Sequence, residues 1–109
     1  MLEPLLGSRD AEKALIYLHC LDEGYAREMA RSLGSTFSAM QRQLERLEVA
    51  GVIYGRLVGR TRLYRFNPRY PFLAELKALL AKALTFYPEG ERQVLLMSRR
   101  RPRMAGKPL

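Results

Sequence analysis

The stretch Leu33–Pro68, LGSTFSAMQRQLERLEVAGVIYGRLVGRTRLYRFNP, constrains the fold more than any other part of this chain. Its first half reads as a capped amphipathic helix over Phe37–Ala50. Ser35 and Thr36 offer the N-cap, Met40, Leu44 and Leu47 recur at helical spacing with Phe37 on the same side, and Gly51 ends the run. Two β-rich runs follow, Val52-Ile53-Tyr54 and Leu63-Tyr64-Arg65-Phe66, in which β-branched and aromatic residues alternate. Val58-Gly59-Arg60-Thr61 supplies turn chemistry between them, so the pair is expected to form a hairpin. Every charge between Val52 and Tyr70 is an arginine: Arg56, Arg60, Arg62, Arg65 and Arg69. Like charges so close together repel one another, and a chain keeps such a cluster most readily when phosphates offset it.

Upstream, Ser8 precedes a first predicted helix with Asp10 and Glu12 in its first turn, where anions suit the helix dipole. Ala11, Ala14, Leu15, Leu18 and Leu21 give it an inward stripe, and Asp22-Glu23-Gly24 ends it. A second helix is expected over Ala26–Leu33, with Met29, Ala30 and Leu33 inward and Gly34 as the residue just past its end. Two helices joined at Gly34 match the composition cue of a helix-turn-helix, the helix from Phe37 being the third. A fourth helix is expected over Pro71–Phe86, carrying Phe72, Leu73, Leu76, Leu79, Leu80, Ala83 and Leu84, a stripe wider than one seam requires. Pro88 stops it. The remainder is basic with one apolar knot, Val94–Met97, and reads either as a frayed arm or as a short fifth helix, with disorder expected from Ser98 onward. The chain is thus divided into a packed unit over 1–88 and a basic tail over 89–109. Its class is mainly α with a small β-hairpin.

At 109 residues the chain fits one domain. Its charge of +8 is localised: residues 1–51 hold 6 basic against 8 acidic side chains, so the surplus sits in the hairpin and the tail. A localised surplus points to a polyanion partner. Cys20 is the only cysteine, which excludes an internal disulfide and fits a reducing compartment. MLEPLLG has no basic segment ahead of an apolar run, unlike a signal peptide, and apolar runs break well short of the ~18 residues of a membrane span. A cytoplasmic protein is expected.

Ser38, Gln41, Arg42 and Arg46 fall on one polar strip of the third helix. In a major groove Arg forks onto guanine and Gln onto adenine, each good pair discriminating by ~1–3 kcal/mol. Thr36 and Ser38, near the helix start, are placed to donate to phosphate. The competing reading is a solvated polar face, which every surface helix has. In the hairpin, Arg56 and Arg62, or Arg60 and Arg62, are expected to share a strand face with no acid to neutralise them; a merely solubilising hairpin is the alternative. Glu45 and Glu48 flank Arg42 and Arg46, where pairing within the helix is expected.

Together YAREMARSLG (25–34), MQRQLERLEVAGVI (40–53) and GRTRLYRFNPRYPFLAEL (59–76) resemble the winged helix-turn-helix transcription regulators of the arsenic-repressor (ArsR) type. They look closer still to the winged-helix modules found beside minimal nucleotidyltransferases. The pattern Leu44-Glu45-Arg46-Leu47-Glu48-x-Ala50-Gly51 and the exit Asn67-Pro68-x-Tyr70-Pro71 carry the likeness, which spans roughly residues 8 to 84. It implies four helices and a two- or three-stranded wing. It also implies that Thr36, Phe37, Ser38, Gln41 and Arg42 face DNA while the wing tip near Arg60 touches the backbone. Phe37 is unusual there, since a polar residue is more common, and capping the core is its alternative role.

Metal-sensing members cluster Cys and His ligands. Here only His19 and Cys20 occur, adjacent in one helix, and neighbours in sequence do not share a helix face. No metal and no cofactor are expected. A nucleotidyltransferase would need an Asp-x-Asp pair after a Gly-Ser; Gly7-Ser8 and Gly34-Ser35 occur, but the only aspartates are Asp10 and Asp22. With no nucleophile elbow and no phosphate-cradling loop, an enzyme is not expected. The function expected is sequence-specific binding of double-stranded DNA by a transcription regulator. A homodimer is expected through the fourth helix (Leu73, Leu76, Leu80, Ala83) and N-terminal Leu5 and Leu6; the alternative packs that whole stripe intramolecularly. Two other functions compete: a protein-interaction module partnering a separate nucleotidyltransferase, and non-specific nucleic-acid binding by the tail Arg99–Arg103.

Overall fold

A computed structural model describes the backbone of residues 1–100 and the side chains of residues 1–95. The elements run α1 (Glu3–Leu6), α2 (Arg9–Leu21), β1 (Glu23–Tyr25), α3 (Ala26–Leu33), α4 (Phe37–Val49), β2 (Ile53–Val58), β3 (Thr61–Phe66), α5 (Leu73–Leu84) and α6 (Glu89–Arg100). The third predicted helix is therefore α4 and the fourth α5.

The core is organised around α2. Ser8 takes an extended conformation and its hydroxyl accepts the Ala11 N–H at 3.0 Å, starting the helix where the sequence placed it. Along Ala14–Leu18 every side chain is buried, so this helix presents no solvent face over its middle. It packs on α1, α3, α4, α5, α6 and β1. It ends on Asp22 in the left-handed region (φ 72°), a conformation Asp tolerates better than most residues.

Two contacts from α2 hold the turn between α3 and α4. The Lys13 ammonium donates to the Leu33 carbonyl at 2.9 Å, and the Ser35 hydroxyl donates to the Asp10 carboxylate. Gly34 itself closes α3 at φ 70°, the positive angle that a glycine adopts without a Cβ clash. α4 then begins at the Thr36 cap and buries Met40, Leu44 and Leu47, as their spacing required.

The sheet has the order β1-β3-β2, all antiparallel. β2 and β3 pair in register from Ile53↔Phe66 to Val58↔Thr61 around a two-residue turn, Gly59-Arg60, with Gly59 at φ 65°. β1 was not foreseen as a strand, because Glu and Gly are poor strand formers and three residues show no alternation. It forms because Gly24 lets the sheet lie on α2: a Cβ there would come within 2.7 Å of the Tyr17 ring.

Two expectations need correction. Leu80 and Ala83 are buried in the chain's own core, Leu80 completely, and Leu73 and Leu76 pack partly buried against it. The line offered for a partner is thus used internally, because α5 lies on α2 with its apolar stripe inward. The C-terminal segment differs as well. Of the two readings left open for residues 89–100, a frayed arm or a short helix, the structure takes the helix, α6, and Ser98–Arg100, expected to be disordered, continue it. Leu95 is only 5% exposed and belongs to the core cluster, and the Tyr87 hydroxyl just ahead of α6 donates to the Glu12 carboxylate at 2.6 Å. Val94, Leu95, Leu96 and Met97 run together without helical spacing, so no periodicity singles out Leu95 as the residue that docks. The arginines at 101 and 103 lie outside the described residues. Among the described residues no helix is long and apolar enough to cross a membrane.

The position of Leu95 makes a test. Leu95→Ala should cost about 2–5 kcal/mol of unfolding free energy through the cavity it leaves. Val94→Ala, at a side chain half exposed on the same helix, should stay within about 0.5 kcal/mol. Urea denaturation of both variants checks the contrast.

Candidate nucleic-acid interface

The face of α4 opposite Met40, Leu44 and Leu47 carries Ser38, Arg42, Glu45 and Val49, all exposed, with Gln41 half-buried at its edge. Ser38 and Arg42 stand one turn apart near the start of the helix, and among the described residues neither side chain has a hydrogen-bond or ion-pair partner. Thr36 is the N-cap, its hydroxyl oxygen accepting the Ala39 N–H at 3.1 Å, which leaves its hydrogen free to donate outward. Gln41 Nε2 donates to Glu45 Oε2 at 3.2 Å, so the amide is held with Oε1 and one N–H uncommitted.

Arg46 is placed otherwise. Its Nη2 donates to the Leu6 carbonyl at 2.8 Å and its Nε to Gln43 Oε1 at 3.0 Å, so the guanidinium caps the end of α1. Arg46 follows Arg42 one turn along the same strip, but α1, a helix the sequence did not announce, reaches that end of it. Phe37 is 39% exposed, and the Arg27 guanidinium from α3 lies over its ring at 4.3 Å from the centroid. It therefore does not cap the core.

The wing departs from expectation in one respect that matters. Arg62 is neutralised: its Nη2 meets Glu48 Oε2 at 2.7 Å and its Nε lies 3.4 Å from Oε1. Glu48 also accepts the Gly55 N–H at 3.0 Å, so one carboxylate on α4 grips both strands of the hairpin. The Arg62 hydrogen bond, helped by the Gly55 amide, holds the Glu48 carboxyl below its ordinary range despite partial burial. Gly55 is needed here because a Cβ would come within 2.7 Å of Arg62 Nε. Glu48 and Glu45 thus pair with Arg62 and Gln41 rather than with the arginines of their own helix.

Register decides which arginines share a face. Arg56 stands opposite Leu63 and Leu57 opposite Arg62, so Arg56 and Arg62 point to opposite sides of the sheet. Arg56 instead shares its side with Arg65 and Tyr54. Arg60 sits exposed in the turn. The structure therefore brings Thr36, Ser38, Gln41 and Arg42 together at the start of α4. It leaves Arg56 and Arg60 exposed on the wing, and it commits Arg46 and Arg62 to internal contacts. Sequence reading missed Arg27 and the Glu48 grip, because both depend on contacts between elements.

A helix-turn-helix over α3 and α4 leads directly into a hairpin that α4 holds by a carboxylate, on a three-stranded sheet backed by helices. The fold is a winged helix-turn-helix. Among solved structures, an apo-form variant of ZitR from Lactococcus lactis superposes with a TM-score of 0.56 at 16% identity, covering 89% of this chain and 80% of that one. The adhesin competence repressor AdcR from Streptococcus pyogenes superposes with a TM-score of 0.50 at 11% identity, covering 81% and 74% respectively. At these identities the likeness is one of fold. Neither the protein-family models nor the curated proteins give a match. Among the described residues no three His, Cys, Asp or Glu side chains are grouped to hold a metal ion, and Cys20 is a buried thiol.

The lowered Glu48 carboxyl fixes a pH dependence. A carboxyl whose folded value lies below its unfolded value stabilises fully above the unfolded value, and that support is lost as pH falls through the folded one. Protection of the Gly55 amide, corrected for intrinsic exchange, should therefore stay constant near neutrality and drop as the solution is acidified below the ordinary carboxylate range. In Glu48→Ala it should be low at every pH. Glu12, whose burial is outweighed by hydrogen bonds from Tyr87 and the Leu2 amide, is also lowered and adds acid lability elsewhere. Hydrogen exchange resolved at Gly55 separates the two.

Proposed function

We propose that this chain is a sequence-specific regulator of transcription that binds double-stranded DNA, with α4 in the major groove and the β2–β3 wing along the phosphate backbone. The observation that carries the reading is the pairing pattern. Arg42 on the outer face of α4 and Arg56 and Arg60 on the wing have no anionic partner among the described residues, whereas Arg62 and Arg46 are satisfied internally. Unpaired guanidinium groups on a projecting helix and an adjacent hairpin are suited to phosphate and guanine. Ser38 and Thr36 would donate to phosphate, and Gln41 would reach a base edge. Arg46 and Arg62 hold the reading elements in place. The likeness of the LERLExAG pattern to regulators of the arsenic-repressor type, and to the modules that accompany nucleotidyltransferases, supports this reading; such regulators read operators, and we extend that to this chain. A cytoplasmic setting suits the reduced Cys20.

We further propose a homodimer, because two half-sites one DNA turn apart multiply the modest affinity of each. With Leu80 and Ala83 occupied internally, we assign the contact to Phe72 and Phe86 at the two ends of α5 and to Leu5, three of the large apolar side chains left exposed. Sedimentation at micromolar concentration tests this, and a lone species of 12.6 kDa would refute the dimer.

The arginines differ in what their loss should do. Arg42→Ala should weaken binding to a selected duplex by roughly tenfold or more and flatten the preference over random sequence. Arg60→Ala should weaken both alike and reduce the slope of log affinity against log salt by about one unit. Arg46→Ala should leave base preference intact and lower thermal stability. Fluorescence anisotropy across a salt series reads all three; equal affinity of the unaltered protein for selected and random duplexes would overturn the regulatory reading.

A further inference from the structure

We infer that Phe37 reads a base, taking the C5-methyl group of a thymine at the first position α4 meets in the groove. The inference rests on the DNA-binding reading above and adds the chemical group that one side chain recognises there.

Phe37 is the first residue of α4 after its cap, and the N-terminal residues of a recognition helix come nearest the base edges. Its ring is not part of the core: the buried stripe of α4 is Met40, Leu44 and Leu47, and the ring stays 39% exposed. An aromatic side chain left in water beside basic and polar neighbours gains free energy only when an apolar surface covers it. On the major-groove edges of the four DNA bases, the apolar group available for this is the thymine methyl, and Phe is among the side chains that contact it.

The ring is also prepared for that contact. The Arg27 guanidinium at 4.3 Å from its centroid covers one face and fixes its orientation, so little side-chain freedom is left to lose on binding. Gln41 follows one turn later on the same flank. Glu45 holds its amide so that the oxygen and one N–H remain for the N6 and N7 positions of adenine. Phe37 and Gln41 therefore form a short apolar-then-amide strip whose natural counterpart is A·T pairs, while Ser38 and Arg42 occupy the adjoining strip.

The test deletes the methyl group and nothing else. Duplexes enriched from a random library are resynthesised with deoxyuridine replacing thymidine one position at a time, and affinities are measured with the unaltered protein. One thymine per half-site should lose about fourfold in affinity when its methyl is removed, the value of one buried methyl group. Phe37→Ala should bind the thymidine and deoxyuridine forms of that site alike, and Phe37→Leu, which keeps an apolar branch, should retain part of the difference. Equal binding of both forms at every position by the unaltered protein would overturn the inference while leaving DNA binding intact. Failure to enrich any duplex would overturn both. Because the deoxyuridine series uses the unaltered protein, a folding defect cannot imitate either result.

Discussion

Burial of α2 on all sides is the constraint from which the other elements take their positions. A helix with no solvent face over Ala14–Leu18 must be covered on every side, and the short chain achieves this with five helices and a strand around it. The cover is not uniform. α5 and α6 supply leucines from one direction, the sheet approaches through the absence of a side chain at Gly24, and α4 lays Met40, Leu44 and Leu47 against the remaining groove. Lys13 and Asp10, half-buried in the first turns of the same helix, hold the turn that launches α4. The direction in which α4 projects is therefore set from the centre of the molecule.

A second layer of organisation separates cations that build from cations that are free to bind. Glu48 selects Arg62 and, by accepting from Gly55 as well, fixes the wing at one angle to α4. Arg46 does the equivalent on the other flank through the Leu6 carbonyl. What remains is a surface in which free guanidinium groups sit on elements of defined relative position. A charge-rich loop of arbitrary orientation would bind polyanions as well, but it could not combine a base edge with a phosphate at a set distance.

The elements with strong local signals were legible from the residues alone. Ser8, Thr36 and Gly34 act where capping chemistry placed them, the α4 core stripe is the one its spacing announced, and the hairpin turns at Gly59-Arg60. Legibility ended where a contact joins residues far apart. The sequence shows Glu48 four residues after Leu44 but not that its carboxylate crosses to a hairpin, and it shows five arginines but not the register that turns Arg56 and Arg62 away from each other. Leu95 gave no periodic signal, since it lies within the unbroken apolar run Val94–Met97. Of the residues first assigned to the interface, Thr36, Ser38, Gln41 and Arg42 are brought together by a helix start, which is local. Arg46 and Arg62 are diverted by α1 and Glu48, which are not.

One consequence of the hydrogen bond from Gly55 to Glu48 concerns association rather than recognition. β2 is one of the two edge strands, and its far side carries main-chain donors and acceptors that could template a further strand from another molecule. The Gly55 amide faces that open side, since it gives its proton to a side chain rather than to β3, and the carboxylate blocks it. Repulsion from Arg56 and Arg60 guards the rest of the rim. Growth of the sheet past β2 is thereby opposed by the same carboxylate that sets its angle.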